Sequence, residues 1–310
     1  MLEVKNISKS FGTTKAVSNL SFSIEKGEVV GLLGPNGAGK TTTMRVLANF
    51  YEPDEGEVLI DGVTIQANPL RAKKHIGYLP ENNPLYPDVP VDEYLRFVGL
   101  AHGISRDKID KALEKAIELT SLESVVFKPI AELSKGYRQR TGLAAAILHE
   151  PDVLILDEPT EGLDPNQRLE IRELLHRLGK QHTVLLSTHV LSEVQHTCDR
   201  LLIINEGHLA AQGSVTELLS GDANRQRVLL EVEGQNVRRG IETLDSVRIV
   251  AYTTAHGRKR LTVESSHKED LRPVLFRLSK DHNWTLWELN RERRGLEDIF
   301  TQFTKSKSNL

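Results

Sequence analysis

Between Val29 and Leu33 an uninterrupted apolar run breaks into Gly34-Pro35-Asn36-Gly37-Ala38-Gly39-Lys40-Thr41, and no other segment narrows the possible folds so far. A buried strand that ends in a glycine-rich turn and continues with helical spacing is the context in which backbone N–H groups converge on phosphate. The glycines let the backbone approach phosphate oxygens, Lys40 sets a cation beside the β- and γ-phosphates, and the Thr41 hydroxyl can ligate Mg²⁺. A chance match in a chain of this length has odds of about one in a hundred, so a turn that binds nothing is a poor rival.

Val153 to Leu156 and Val184 to Leu186 repeat the continuous apolar style, which suits the centre of a parallel sheet covered by helices on both faces. From Asn19 to Ile24 apolar and polar residues alternate instead, the period of a half-buried antiparallel strand. Asp92 to Leu100 and Asp107 to Leu122 have helical spacing after the loop of Pro84, Pro87 and Pro90, so a helical insertion is expected over about 85–150. The expected class is α/β of the P-loop NTPase kind, with an antiparallel β subdomain and this insertion.

A length of 310 residues predicts two unequal domains. The first is expected over 1–219, and the polar stretch Ser220 to Asn224 marks a linker over 220–227. Beyond it Val228 to Val232, Val247 to Tyr252, Leu261 to Glu264 and Trp284 to Leu289 read as strands. Helices are expected at Val237 to Leu244, Lys268 to Asp281 and Leu296 to Phe303. The order strand, helix, strand, strand, helix, strand predicts a small ferredoxin-like domain over 228–310. Trp284 and Trp287 have odd spacing, so at most one belongs to its core.

A net charge of -3, with 39% apolar and 27% charged residues, excludes a disordered chain and a strongly nucleic-acid-seeking one. The single cysteine, Cys198, cannot close an internal disulfide and reads as a structural thiol in a reducing cytoplasm. The start MLEVKNISKSF has no signal-peptide pattern, and no apolar run approaches the roughly 20 residues of a membrane span. The expectation is a cytoplasmic protein with at most a peripheral place on the inner face of the cell membrane.

Asp157 and Glu158 close the run Val153 to Leu156, at the carboxyl edge where open α/β sheets place ligands. There one carboxylate can hold Mg²⁺ and its neighbour can orient and deprotonate a water. Alone the pair is more often a strand leading into a solvated turn. Its company is Leu133-Ser134-Lys135-Gly136-Tyr137-Arg138-Gln139-Arg140 upstream and Ser187-Thr188-His189 after the next strand. These segments resemble the signature motif and switch histidine of ABC ATPases, and Glu161-Gly162-Leu163-Asp164 is similar to their D-loop. Singly they read as an N-cap for Ser134, a turn for Gly162 and a core histidine for His189, but their order and intervals match the family.

The resemblance covers about Leu2 to Ser214 and implies ATP and Mg²⁺ as cofactors. It implies that Gly34, Pro35, Asn36, Gly37, Ala38, Gly39, Lys40, Thr41 and Thr42 hold the nucleotide, with Phe11 stacked on adenine unless it is simply core. Ser134 and Gly136 would close on the ATP of a second copy or a related ATPase, His189 would contact the γ-phosphate, and Glu158 would be the base. Thr41, Asp157 and Glu81 would face the metal. Glu81, at the end of Ile76-Gly77-Tyr78-Leu79-Pro80-Glu81, departs from the pattern, because most relatives carry glutamine there. It keeps an oxygen, loses the amide donor and adds charge.

The wording Pro80-Glu-Asn-Asn-Pro-Leu-Tyr-Pro87 and the Leu296 to Phe300 ending resemble bacterial export-type ATPases, including those of gliding motility and of multidrug and antibiotic export. The membrane-spanning subunits would be separate chains. A soluble ABC ATPase acting on ribosomes or nucleic acid is disfavoured by a single cassette, no sustained heptads and no basic tract. A nucleotide-gated interaction protein without turnover is disfavoured by the intact Glu158 and signature. The absence of an Asn-Lys-x-Asp segment disfavours a guanine-nucleotide switch. No nucleic-acid partner is expected, and the cargo is not written in this chain.

Overall fold

The computed structural model describes residues 2–220, 226–245, 247–265, 270–292, 300–301 and 303–304. The chain divides into two compact units, Met1–Val215 with Phe300–Leu310, and Thr216–Ile299. The first break therefore falls a few residues before the expected 219, and the end of the chain groups with the first unit instead of closing the 228–310 domain. The polar run at Ser220 shows where the hydrophobic pattern lapses, and helical spacing near the end says that a segment packs without saying on which core. Linker residues 221–225 and the expected helical positions 268–269, 296–299 and 302 lie outside the described residues.

In the first unit β1 (Leu2–Phe11) and β2 (Thr14–Ile24) pair antiparallel and bury the alternating set Leu20, Phe22 and Ile24 against Leu2, Val4 and Ile7. Strand β3 (Val29–Leu33) is buried at every position, as its unbroken apolar run requires. It leads through the glycine-rich turn into α1 (Lys40–Leu47). Strands β4 (Glu55–Ile60) and β5 (Val63–Thr64) return to the antiparallel sheet, whose order is β2-β1-β4-β5. Helix α2 (Pro69–His75), capped by the Asn68 side chain on the Arg71 N–H, then delivers β6 (Ile76–Leu79).

The helical insertion follows as α3 (Val91–Ala101), α4 (Ile109–Thr120) and α5 (Lys135–Ile147). Helix α4 buries Ile109, Leu113, Ala116 and Thr120, a stripe at the three-to-four-residue period. Gly99 on α3 lets the two helices close up, since a Cβ there would lie 2.4 Å from Ile109 Cδ1.

Strand β7 (Val153–Asp157), α6 (Pro165–Gly179), β8 (Thr183–Thr188), α7 (Leu191–Thr197), β9 (Arg200–Asn205) and β10 (His208–Ser214) complete a second sheet of order β10-β9-β3-β8-β7-β6. Its five strands from β9 to β6 are parallel and β10 is antiparallel. Val30, Leu32, Met44, Ile155, Leu185 and Leu202 join the antiparallel strands in one core, each full burial contributing about 1.5–3 kcal/mol. Cys198 is buried, its thiol pKa pushed up by desolvation, and a Cβ at Gly31 would lie 2.9 Å from its Sγ. That is a packing thiol, as expected. Helix α8 (Val215–Ser220) ends this stretch.

The second unit runs β11 (Gln226–Glu233), α9 (Val237–Glu242), β12 (Val247–Ala255), β13 (Arg258–Ser265), α10 (Arg272–Asp281) and β14 (Thr285–Glu292). The all-antiparallel order β12-β13-β11-β14 is the ferredoxin-like arrangement. Val228, Leu230 and Val232 alternate into its core with Leu261, Val263 and Leu275. Trp284 is buried there, its indole donating to Gln235 O at 2.9 Å, whereas Trp287 is half exposed with the Arg258 guanidinium 3.5 Å from its ring centre. Strand β14 lies beside β11 so that Glu292, the last residue of the unit's sheet, is paired with Arg227, its second.

Candidate functional site

Three glycines shape the turn between β3 and α1. A Cβ at Gly34 would lie 2.5 Å from Ile204 O, one at Gly39 2.4 Å from Ala16 O, and Gly37 and Gly39 have φ of +80° and +102°. The turn is held to the sheets by Gly207 N–H to Ala38 O at 3.0 Å and Ser18 N–H to Gly207 O at 2.9 Å. Lys40 is buried and donates to Gly34 O at 2.9 Å and Pro35 O at 3.3 Å. Thr41 and Thr42 follow in the first turn of α1, at the positive end of the helix dipole.

The ends of β7 and β8 meet this turn. Asp157 is fully buried, its Oδ1 accepting from Ser187 Oγ at 2.6 Å and, at the long distance of 3.5 Å, from Thr41 Oγ1. Its Oδ2 is buried without a partner. Glu158 adopts φ +49°, a left-handed conformation that strains a glutamate, and its N–H is held by Ser187 Oγ at 2.9 Å. Its Oε1 lies 3.8 Å from Lys40 Nζ and its Oε2 3.0 Å from His189 Nδ1.

Glu81 belongs to the same electrostatic group. Its carboxyl is pushed up by desolvation first, and then by the charges of Glu161, Asp157 and Glu158, with Lys40 alone opposing. Glutamine would escape this repulsion. The neighbouring Tyr78 phenol is raised to about 12 by burial and then by the Asp157 charge.

Ser134 and Gly136 lie apart from this group. Ser134 caps α5, accepting from Tyr137 N–H at 3.3 Å, and with Gly136 it borders an open cavity of about 500 Å³ whose lining residues, Arg140 and Gln167 among them, include none from the turn at 34–42. Lys135 reaches over Gly162, whose φ is +66°, and Asp164 caps α6 through Asn166 and Gln167 N–H, both at 3.0 Å. Phe11 is not core: its ring is 45% exposed and stands edge-on to Tyr51 at 5.4 Å.

Two contributors escaped the sequence reading. Ser187 bridges Asp157 and Glu158, and Glu193 on α7 accepts from Thr160 Oγ1 at 2.6 Å and Thr188 Oγ1 at 3.2 Å. Only strand register and a tertiary helix contact identify them, and neither is written in local spacing.

Residues 17–161 match the family described as ABC transporter. The linearmycin resistance ATP-binding protein LnrL of Bacillus subtilis is 33% identical over 306 residues, 98% of each chain. The chain belongs to the ABC transporter ATP-binding proteins. The Nod factor export ATP-binding protein I of Ralstonia nicotianae is 40% identical over 221 residues, 71% of this ABC ATPase and 69% of that protein. Among solved structures, the ATP-binding subunit of an ABC transporter matches with a TM-score of 0.64 at 33% identity, covering 70% of this chain and 91% of that one. CbiO1 from Clostridium perfringens, part of the ABC transporter complex cbiONQ, matches with a TM-score of 0.65 at 30% identity, covering 71% and 90%. The protein is therefore an ATP-binding ATPase subunit of the transporter class. Among the described residues no helix is long and apolar enough to cross a membrane.

Proposed function

We propose that this ATPase dimerises around ATP and drives an exporter whose membrane-spanning subunits are separate chains, from a peripheral place on the cytoplasmic face of the cell membrane. The observation that carries the reading is the separation of two half-sites. The turn at 34–42 gathers Asp157, Glu158 and His189, while the capped α5 terminus at Ser134 opens into a cavity of its own. Half-sites of this kind complement one another when a second copy brings Ser134 and Gly136 to the γ-phosphate.

In this reading residues 34–42 cradle the phosphates, with Lys40 on the β- and γ-phosphates and Phe11 against adenine. The donor set fits Mg²⁺, since Asp157 Oδ2 is a buried carboxylate oxygen without a partner and the Thr41 hydroxyl stands beside the same carboxylate. Asp157 and Thr41 would hold the ion, with Glu81 facing it. Bound there, it supplies charge neutralisation on the phosphates. Glu158 accepts a proton as water attacks the γ-phosphorus and the bond to ADP breaks, and His189, hydrogen-bonded to that carboxylate, faces the γ-phosphate.

Export is supported by the relatives named for linearmycin resistance and Nod factor export, the first of which spans both units of this chain. Sedimentation of Glu158→Gln with and without Mg-ATP tests dimerisation. A dimer should form only with nucleotide and be abolished by Ser134→Arg, while a chain that stays monomeric at saturating ATP refutes the sandwich. Recovery of a polytopic partner from detergent-solubilised membranes tests the coupling.

A further inference from the structure

Glu193 is 7% exposed, hydrogen-bonds to Thr160 and Thr188 and to no residue of the turn at 34–42, and leaves one carboxylate oxygen, Oε1, buried without a partner. A carboxylate placed there gives up hydration that apolar packing would not have to. Its other oxygen accepts two hydroxyls from two different segments. Thr160, at 2.6 Å, lies two residues after Glu158, and Thr188, at 3.2 Å, immediately precedes His189. Thr188 Oγ1 in turn accepts the N–H of Val190 at 3.0 Å, so the residues on either side of His189 are tied to the same group. On the opposite side Ser187 also joins these segments, holding the N–H of Glu158.

We infer that Glu193 is a positioning residue for hydrolysis: from behind the site it clamps the segment carrying Glu158 to the segment carrying His189, and so sets their 3.0 Å contact. This rests on the proposed role of Glu158. The strained φ of +49° at Glu158 makes such a clamp useful, because a residue in a sparsely populated conformation persists only where its neighbours over-determine it. A general base displaced by a fraction of an ångström loses much of its effect, and nucleotide affinity, set by the phosphate-binding turn, does not depend on it.

The test is steady-state ATPase kinetics of the full chain, with melting temperature recorded for every variant. Glu193→Ala should lower kcat about tenfold or more with KM for ATP within about twofold, and Glu193→Gln, whose amide oxygen still accepts both threonine hydroxyls, should recover most of kcat. In a Glu158→Gln background Glu193→Ala should add little further loss, because its effect passes through Glu158. Thr160→Val, which removes only the shorter bond, should lower kcat about threefold and serves if Glu193→Ala fails to fold. The inference is overturned if kcat is unchanged, if KM alone rises, or if the loss is undiminished in the Glu158→Gln background. A wild-type chain whose Glu158→Gln variant hydrolyses ATP normally would instead refute the role of Glu158 itself.

Discussion

The Nδ1 of His189 stands 3.0 Å from Oε2 of Glu158, so the carboxylate that closes one buried strand is held by a ring that closes the next. The other oxygen of Glu158 faces Lys40 at the start of α1, and the strands that lead to the three side chains, β7, β8 and β3, are neighbours in the parallel sheet. The roles of Glu158 and Glu81 can be separated by experiment.

Glu158→Gln is expected to keep ATP binding and to lower turnover by about 10²–10⁴-fold, the scale of a general base. Glu81→Gln removes a carboxyl that burial and three neighbouring acids already push up, so basal turnover should change less than about tenfold. Steady-state ATPase rates beside an equilibrium ATP-binding assay decide it. Abolished turnover in Glu81→Gln with normal turnover in Glu158→Gln would reverse the assignment.

Gly39→Ala should abolish ATP binding and lower stability by about 2 kcal/mol or more. The added Cβ would sit 2.4 Å from a backbone oxygen at φ +102°, where neither strain nor clash can be relieved by a side-chain movement. Nucleotide titration and thermal melting report the two effects separately, and wild-type values for both would show that the turn has room to shift.

Acid should weaken the helical insertion. His102 and His149 stack at 3.9 Å, and His149 is pushed down to about 4, by burial first and then by His102, with His182 a smaller contributor. A histidine whose folded pKa is depressed stabilises fully above its unfolded value near 6.5, and that contribution fades as pH falls toward 4. Between pH 7 and pH 5 the loss should be on the order of 1 kcal/mol, after discount for partial exposure. Melting temperatures across that interval should fall more steeply for wild type than for His149→Gln, and parallel curves would count against the pair.

The second unit should not bind nucleic acid. Several of its described arginines are paired with acids: Arg227 with Glu264 at 2.9 Å, Arg258 with Glu231 at 3.3 Å, Arg260 with Glu288 at 3.5 Å and Arg238 with Glu242 at 3.0 Å. A phosphate track needs cations whose partners are exchangeable counterions. Titration of the full chain with DNA and RNA should show no binding tighter than about 10 µM at about 150 mM salt. Tight binding with a steep salt slope would refute it.

Much of this was legible from the sequence where burial leaves a periodic trace. Val29 to Leu33 reads as a fully buried strand because both its faces are covered, and odd spacing allowed at most one of Trp284 and Trp287 in the core, which is Trp284. The turn at 34–42 is local, so the need for its glycines and the place of Lys40 in it were readable residue by residue. Ser187 was quoted only as part of a motif, because its place between Asp157 and Glu158 follows from the register of β7 on β8. Glu193 was invisible for the same kind of reason: a buried acid on a seven-residue helix looks like any solvated one until the helix is docked. The grouping of Phe300 onward with the first unit is a choice between two cores, on which helical spacing is silent.

The pairing of Arg227 with Glu292 gives the ferredoxin-like unit the anatomy of an insertion. The chain goes in and comes out on adjacent antiparallel strands, about 5 Å apart, before residues from Phe300 rejoin the first unit. With its first and last strands side by side, this unit brings its own two ends together, and the entropy of closing a loop grows slowly with its length. Such a unit can be lost, exchanged or enlarged over generations while the strands that lead to Asp157, Glu158 and His189 keep their register.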